Sequence, residues 1–259
     1  MTLLDKDGVR LAVDGAVATV TLTNPDKRNP QSPALWQALT EAGSQLPGDV
    51  RIVVLRSEGV SFSAGLDRRL FGPDGIDGKP FFQALAEQPD EQVDAAIDGF
   101  QKAFTWWRRP DVISIAAVQG HAVGAGFQLA LAADLRVCAD DVQFAMRETG
   151  LGLVPDLAGT HPLVRLVGYA RALELCVTGR FVRAEEAERT GLANLVVPAA
   201  ELDAAVADLT AALLAAPREA VIETKSLLAG AGSRTYDEQR AAERAAQIRC
   251  FRDLAGTGG

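Results

Sequence analysis

The amino-acid sequence predicts a layered α/β fold, on three observations. Short apolar runs rich in β-branched residues alternate with longer stretches whose apolar residues recur at helical spacing. Strand–strand–helix units recur along the chain, which favours helices packed on a mixed sheet. The composition, 48% hydrophobic and 23% charged over 259 residues, is that of a globular protein long enough for a sizeable core in one or two domains. Wholesale disorder is excluded.

Val9–Leu22 reads as a hairpin, two β-rich runs joined at Asp14-Gly15, a two-residue turn signal. Asn24–Gln31 is a polar loop with two prolines and two basic residues. Ser32-Pro33 opens a helix, with Ser as N-cap and Pro in the first turn, and Leu35, Leu39, Ala42 and Leu46 form its apolar stripe. Arg51–Arg56 reads as a buried strand. Leu70–Pro89 is too rich in Gly, Pro and Asp for a regular element and is expected to be a mobile flap over a pocket. Pro89–Arg109 is a second amphipathic helix, with Val93, Ile97, Phe100, Phe104 and Trp107 at helical spacing. Val112–Val118 is a strand leading into a Gly-rich loop and a helix, and Leu135–Ala139 and Val142–Met146 are two more strands. From Thr160 the pattern is mostly helical, interrupted near Leu192–Val197, with helices at Glu201–Ala215 and Thr235–Phe251 and a frayed end at Ala255–Gly259.

Charge and cysteine content narrow the function classes. The 26 Lys and Arg against 34 Asp and Glu give a net charge of −8, which repels nucleic acid and anionic membrane. Val112–Ala133 lacks formal charge and is long enough to span a bilayer. Its three glycines, two glutamines and His121 point instead to strand, tight loop and helix. The three cysteines, Cys138, Cys176 and Cys250, form no CxxC, so neither a disulfide framework nor a zinc site is expected, and a reducing cytoplasmic setting fits. The start, Met-Thr-Leu-Leu-Asp-Lys-Asp, has no basic region leading into an apolar one, so no signal peptide is expected.

Two glycine-containing loops each follow a buried strand and lead into a helix. They are Ser61-Phe62-Ser63-Ala64-Gly65-Leu66-Asp67 and Gly120-His121-Ala122-Val123-Gly124-Ala125-Gly126-Phe127-Gln128. Glycine lets backbone approach a ligand closely, and a fresh helix start offers unpaired N–H donors at a partially positive end. Two such starts facing each other can hold an oxyanion. Neither loop is a Walker or GxGxxG phosphate fingerprint. A third element, Phe144–Thr160, places Glu148 and Asp156 in an apolar, Gly-containing stretch, where desolvation raises carboxyl pKa values toward those useful for proton transfer. His121, at the end of a strand, is expected to hydrogen-bond structurally.

Taken together, Asn24-Pro-Asp-Lys-Arg-Asn29, Phe62-Ser-Ala-Gly-Leu-Asp67, Gly120–Arg136, Phe144–Gly168, Thr178-Gly-Arg-Phe and Gly191-Leu-Ala-Asn-Leu-Val196 resemble the crotonase (enoyl-CoA hydratase/isomerase) superfamily over nearly the whole chain. The resemblance implies an enzyme whose spiral core of repeated ββα units occupies residues 1–198, with a C-terminal helical region, 199–259, that packs trimers, often paired into hexamers. It implies an oxyanion hole formed by the backbone N–H groups of Leu66 and Ala125, which binds the thioester carbonyl of an acyl-CoA. Ala64, Gly65 and Gly124 would line the substrate site, and Lys27 and Arg28 would reach CoA phosphates. Coenzyme A enters as part of the substrate, with no separate cofactor, no metal, no nucleic acid and no membrane partner.

The departures from the family pattern bear on the chemistry. Family hydratases carry two glutamates, and this chain keeps Glu148 but has Gln128 at the other position. An amide orients water but cannot accept or deliver a proton at neutral pH. Glu148, Asp156 and Gln128 are therefore the candidate catalytic side chains, with isomerisation by Glu148 favoured and Asp156 as second acid or orienting partner. Hydration of a 2-enoyl-CoA, or acyl-CoA binding without turnover, are the alternatives.

Overall fold

The structure, a computed structural model, describes residues 1–73, 75 and 79–256. The N-terminal strands β1 (Thr2–Lys6), β2 (Val9–Asp14) and β3 (Val17–Leu22) form an antiparallel meander, and the expected hairpin turns at Gly15-Ala16, one residue beyond Asp14-Gly15, because Asp14 pairs with Val17. Helix α1 (Pro33–Ser44) starts where its capping residues predict, with the Ser32 hydroxyl accepting from the Leu35 N–H at 3.3 Å. Strand β4 (Ile52–Ser57) then returns parallel to β3. Helices α2 (Phe81–Ala86) and α3 (Asp90–Thr105) lead to β5 (Ile113–Val118), followed by β6 (His121–Val123) and α4 (Ala125–Ala132). The uncharged Val112–Ala133 stretch thus folds as strand, short strand and helix. Strands β7 (Leu135–Ala139) and β8 (Gln143–Ala145) precede α5 (Thr160–Val167) and α6 (Tyr169–Thr178). Then come β9 (Val182–Arg183), α7 (Ala184–Arg189), β10 (Leu195–Val197), α8 (Leu202–Ala215), α9 (Arg218–Gly230) and α10 (Tyr236–Leu254).

Two sheets result. The larger has the order β1-β2-β3-β4-β5-β7-β10, parallel from β3 onward, and the smaller is β6-β8-β9. Each passage through the large sheet at β5 and β7 is followed by a short strand in the small one, which gives the chain its spiral course. The period-two alternation of strand side chains divides the core. Val53 and Leu55 of β4, with Ala116 and Val118 of β5, face α1, α3 and α4. Ile52 and Val54, with Ile115 and Ala117, face Leu202 and Val206 of α8. Both faces of the parallel strands are covered, which explains their unbroken apolar runs.

The segment expected to be irregular from Leu70 to Pro89 contains more structure than its composition indicates. A 3-10 turn spans Arg68–Phe71, and α2 follows. The reason is aromatic packing: Phe71, Phe82, Phe81 and Phe100 form successive ring contacts 5.1, 5.2 and 5.9 Å apart, and Phe81 is buried. As far as it concerns residues 74 and 76–78, the expected flap lies outside the described residues, as do residues 257–259 of the expected frayed end. Among the described residues no helix is long and apolar enough to cross a membrane.

Helix α4 carries the second glycine loop, and its seating is tight. A methyl group on Gly126 would lie 2.6 Å from the Ser63 carbonyl oxygen and 2.7 Å from the Ser63 Cβ. Alanine is intrinsically better than glycine inside a helix by about 1 kcal/mol, but overpacking against backbone costs about 1–3 kcal/mol. Gly126→Ala is therefore expected to destabilise the protein, and a urea denaturation midpoint below that of the wild type is the measurement.

Candidate active site

The two glycine loops meet because their backbones are paired in parallel. The Ser63 N–H donates to the His121 carbonyl at 2.9 Å, and the Val123 N–H donates to the Ser63 carbonyl at 3.0 Å. Two residues further on, Gly65 (φ +89°) runs so close to the second loop that a methyl group there would lie 2.6 Å from the Val123 carbonyl oxygen. The first loop is braced from its other side by Asn29. Asn29 Nδ2 donates to the Glu58 and Ser61 carbonyls at 2.9 and 3.0 Å, while its carbonyl accepts from the Ser63 hydroxyl at 2.7 Å. The Asn24–Asn29 motif thus acts here as a clamp on the loop.

This pairing leaves two amides free. The Gln31 N–H donates to the Gly65 carbonyl and the Asp67 N–H to the Gln31 carbonyl, each at 2.8 Å. Successive residues of an extended segment point in opposite directions, so the Leu66 N–H between them is turned away from Gln31. Ala125 is the first residue of α4, where N–H groups have no intrahelical acceptor. Its neighbours are engaged, Gly124 N–H with the Ala145 carbonyl at 2.8 Å and Gln128 N–H with the Gly124 carbonyl at 2.9 Å. Among the described residues neither the Leu66 nor the Ala125 N–H has a protein acceptor. A methyl group on Gly65 would lie 3.9 Å from the Ala125 nitrogen, so the two segments flank one spot.

Leu66 and Ala125 line a cavity of about 350 Å³ together with Ala64, Gly65, Gly124 and Glu148. Glu148 opens a 3-10 turn, Glu148–Leu151, and is only 7% exposed. Its Oε1 accepts from Gln128 Nε2 at 2.7 Å, while Oε2 is buried without a hydrogen-bond partner in the protein. Burial pushes the Glu148 carboxyl above the usual carboxylate range, and the nearby Asp156 charge acts weakly in the same direction. Asp156 is itself raised by burial. A buried acid with a raised pKa beside two unpaired donors can take up and return a proton next to a stabilised oxyanion.

Not every candidate reaches the cavity wall. Gln128, fully buried, lies behind Glu148, and its Oε1 accepts from the Leu157 and Gly159 N–H groups at 3.0 and 3.3 Å. Asp156 is also outside the cavity lining. Lys27 and Arg28 are exposed at the loop brace, where the Arg28 carbonyl accepts from the Ala64 N–H at 2.8 Å. Asp67, which follows the first loop, is held below the usual carboxylate range by Arg69 and more weakly by Lys27. His121 Nδ1 lies 3.3 Å from the Ser61 hydroxyl, a structural contact. The sequence reading missed Arg68, Phe71, Arg147 and Leu151, which also line the cavity. Their adjacency to Leu66 and Glu148 was the available signal. Among the described residues no group of three or more His, Cys, Asp or Glu could hold a metal ion.

A spiral of strand–strand–helix turns, with two loop backbones converging beside a buried glutamate, is the architecture of the crotonase class of enzymes. The family description enoyl-CoA hydratase/isomerase matches residues 12–255. A candidate enoyl-CoA hydratase from Thermobifida fusca, solved in complex with CoA, is 47% identical, with a TM-score of 0.89 over 96% of this chain and 95% of that one. Its complex with acetoacetyl-CoA is likewise 47% identical, with a TM-score of 0.89 over 95% of each chain. A candidate enoyl-CoA hydratase of Bacillus subtilis is 35% identical over 73% of this chain and 69% of its own length. The chain belongs to the enoyl-CoA hydratase/isomerase family and is an enzyme of that family.

The raised Glu148 pKa is also a statement about stability. A carboxyl that binds its proton more tightly in the folded than in the unfolded chain costs stability as pH rises through the window from the ordinary to the raised pKa. Glu148→Gln removes that cost. The variant is expected to be more stable than wild type at pH 7, as relief of a destabilised functional site generally allows. The advantage should shrink as pH falls below the ordinary carboxylate range, where both side chains are neutral. Urea denaturation from pH 4 to 8 measures it.

Proposed function

We propose that the protein isomerises unsaturated acyl-CoA thioesters, with the thioester carbonyl held by the Leu66 and Ala125 amides and Glu148 as the proton carrier. The observation that carries this reading is that the two amides lacking protein acceptors and the carboxylate with an unpaired oxygen line one cavity. In a 3-enoyl thioester the Glu148 carboxylate removes a proton from carbon 2, and the electron pair moves to the thioester oxygen. The resulting dienolate faces the two amides, each worth about 3 kcal/mol in the transition state. The same carboxyl returns the proton to carbon 4, which leaves a 2-enoyl thioester. Raised by burial, Glu148 is suited to both halves of that transfer.

Hydration is the second reading, and it follows from the names of the relatives. It needs a second group to activate water. Gln128 cannot move a proton, and its amide is already committed to Glu148, Leu157 and Gly159. Asp156, raised by burial and close enough to influence Glu148, is the group that would have to serve.

In this reading CoA is part of the substrate and the chain's own amides and carboxylates supply the chemistry without a further cofactor. Ala64, Gly65 and Gly124 shape the thioester site, and Lys27 and Arg28 reach the CoA phosphates. The C-terminal region, 199–259, helical in its described part, is where copies would assemble as trimers or hexamers around the 1–198 core. Exposed Leu228, Ile248, Phe251 and Leu254 on α9 and α10 support that assembly. A cytoplasmic location is supported by three free cysteines.

Purified protein should convert 3-enoyl-CoA to 2-enoyl-CoA faster than it hydrates 2-enoyl-CoA. Glu148→Ala should lower the isomerisation kcat by about 10²–10⁴-fold, as expected for loss of a general base. Hydration that persists in Glu148→Ala would overturn the assignment. CoA-ester binding without turnover of either substrate would make the protein a binder.

A further inference from the structure

We infer that Gln128 is a positioning residue: it occupies one oxygen of Glu148 and leaves the other as the sole site of proton exchange, without touching substrate itself. The inference rests on the reading of Glu148 as the proton carrier and concerns how this chain replaces what a second acid would do.

The geometry leaves Gln128 one orientation. The Leu157 and Gly159 N–H groups both point at one end of its amide, at 3.0 and 3.3 Å, so that end is the oxygen. The other end is therefore the NH₂ group, which donates to Glu148 Oε1 at 2.7 Å. Glu148 Oε1 then accepts this bond as an ionised oxygen, and a proton arriving at the carboxyl has only Oε2 to occupy. The side chain is wedged in place, since a methyl group on Gly159 would lie 2.7 Å from Gln128 Cγ. Gln128 does not line the cavity that holds Leu66, Ala125 and Glu148. It lines a second cavity of about 360 Å³ behind it, with Phe104, Thr105, Leu157 and Ala158. The Gln128–Glu148 pair is thus a partition between the two spaces.

The backbone N–H groups of Glu148 and Arg147 also favour the ionised carboxyl, while Gln128 is the side chain that holds Oε1. Asp156, in the loop before α5, opposes ionisation of Glu148 through its charge, and Cys176 on α6 feels the Glu148 charge in turn. Arg147, the preceding residue, lines the cavity with its guanidinium 5.0 Å from the Phe181 ring centre. Among the described side chains, Gln128 alone hydrogen-bonds the carboxylate.

The test uses Gln128→Met, close in shape without the donor, and Gln128→Glu, whose neutral form can still donate to Oε1 while accepting from Leu157 and Gly159. With ¹³C-labelled glutamate, the Glu148 titration midpoint of the ligand-free protein should rise by about one unit or more in Gln128→Met, as loss of a hydrogen bond to a charged group requires. The acidic limb of the kcat–pH profile should move with it. At pH 7 kcat should fall about 10–100-fold, while affinity for CoA stays within about twofold. Gln128→Glu should recover kcat below neutral pH and show two coupled midpoints. An unshifted Glu148 midpoint in folded Gln128→Met, or a loss of kcat equal at every pH, overturns the inference. Should Gln128→Met not fold, a single unshifted midpoint in Gln128→Glu overturns it instead. The titration needs no turnover, so a failure of the proposed reaction and a failure of the Gln128 role are read separately.

Discussion

The site depends on one constraint, the backbone-to-backbone approach of the loops after β4 and β5. Ser63 is paired with the second loop on both sides, and Gly65 leaves no room for a side chain between itself and Val123. With side chains excluded, the wall of the cavity at this point is made of peptide groups. Their dipoles are fixed by hydrogen bonds on the neighbouring residues, Gly65 and Asp67 through Gln31 and Gly124 through Ala145. Donors held in this way need no reorganisation when charge develops, which is what makes such an arrangement effective in catalysis.

The small sheet gives the constraint its rigidity. Strand β6 is only three residues long, yet its carbonyl and amide groups bind Ser63 on one side and β8 on the other. Strand β8 leads directly to Arg147 and Glu148, so one short sheet sets the position of both the Ala125 amide and the acid. A shift of β6 would therefore move the two parts of the site together.

The buried acid is a standing cost in this arrangement. Burial disfavours ionised Glu148, and the hydrogen bond from Gln128 partly offsets that penalty. The orphaned Oε2 shows how the cost is distributed: one oxygen is satisfied by the protein and the other is not. Stability is given up at the position where the proposed reaction would need a poised proton, as functional sites commonly do.

Local pattern was enough for the elements that repeat a period over many residues. The hairpin of β2 and β3, the Ser32-capped α1, the apolar strands β4, β5 and β7, and the long amphipathic α3 were legible because each buries a face that its own sequence displays. The glycine loops and the two acids were legible as types and in order, and the joint motif order marked the family. Strands β6 and β9, two or three residues each, exist through pairing with distant segments, β8 for both and Ser63 for β6, and α2 exists through the ring contacts of Phe81 and Phe82. The role of Gln128 was hidden for the same reason: its amide is oriented by Leu157 and Gly159, 29 and 31 positions away. The sequence by itself determined which donors, acids and glycines the protein has. Tertiary structure decided which amides stay unpaired and which oxygen of Glu148 is left over, because hydrogen-bond partners and burial are set by neighbours in space.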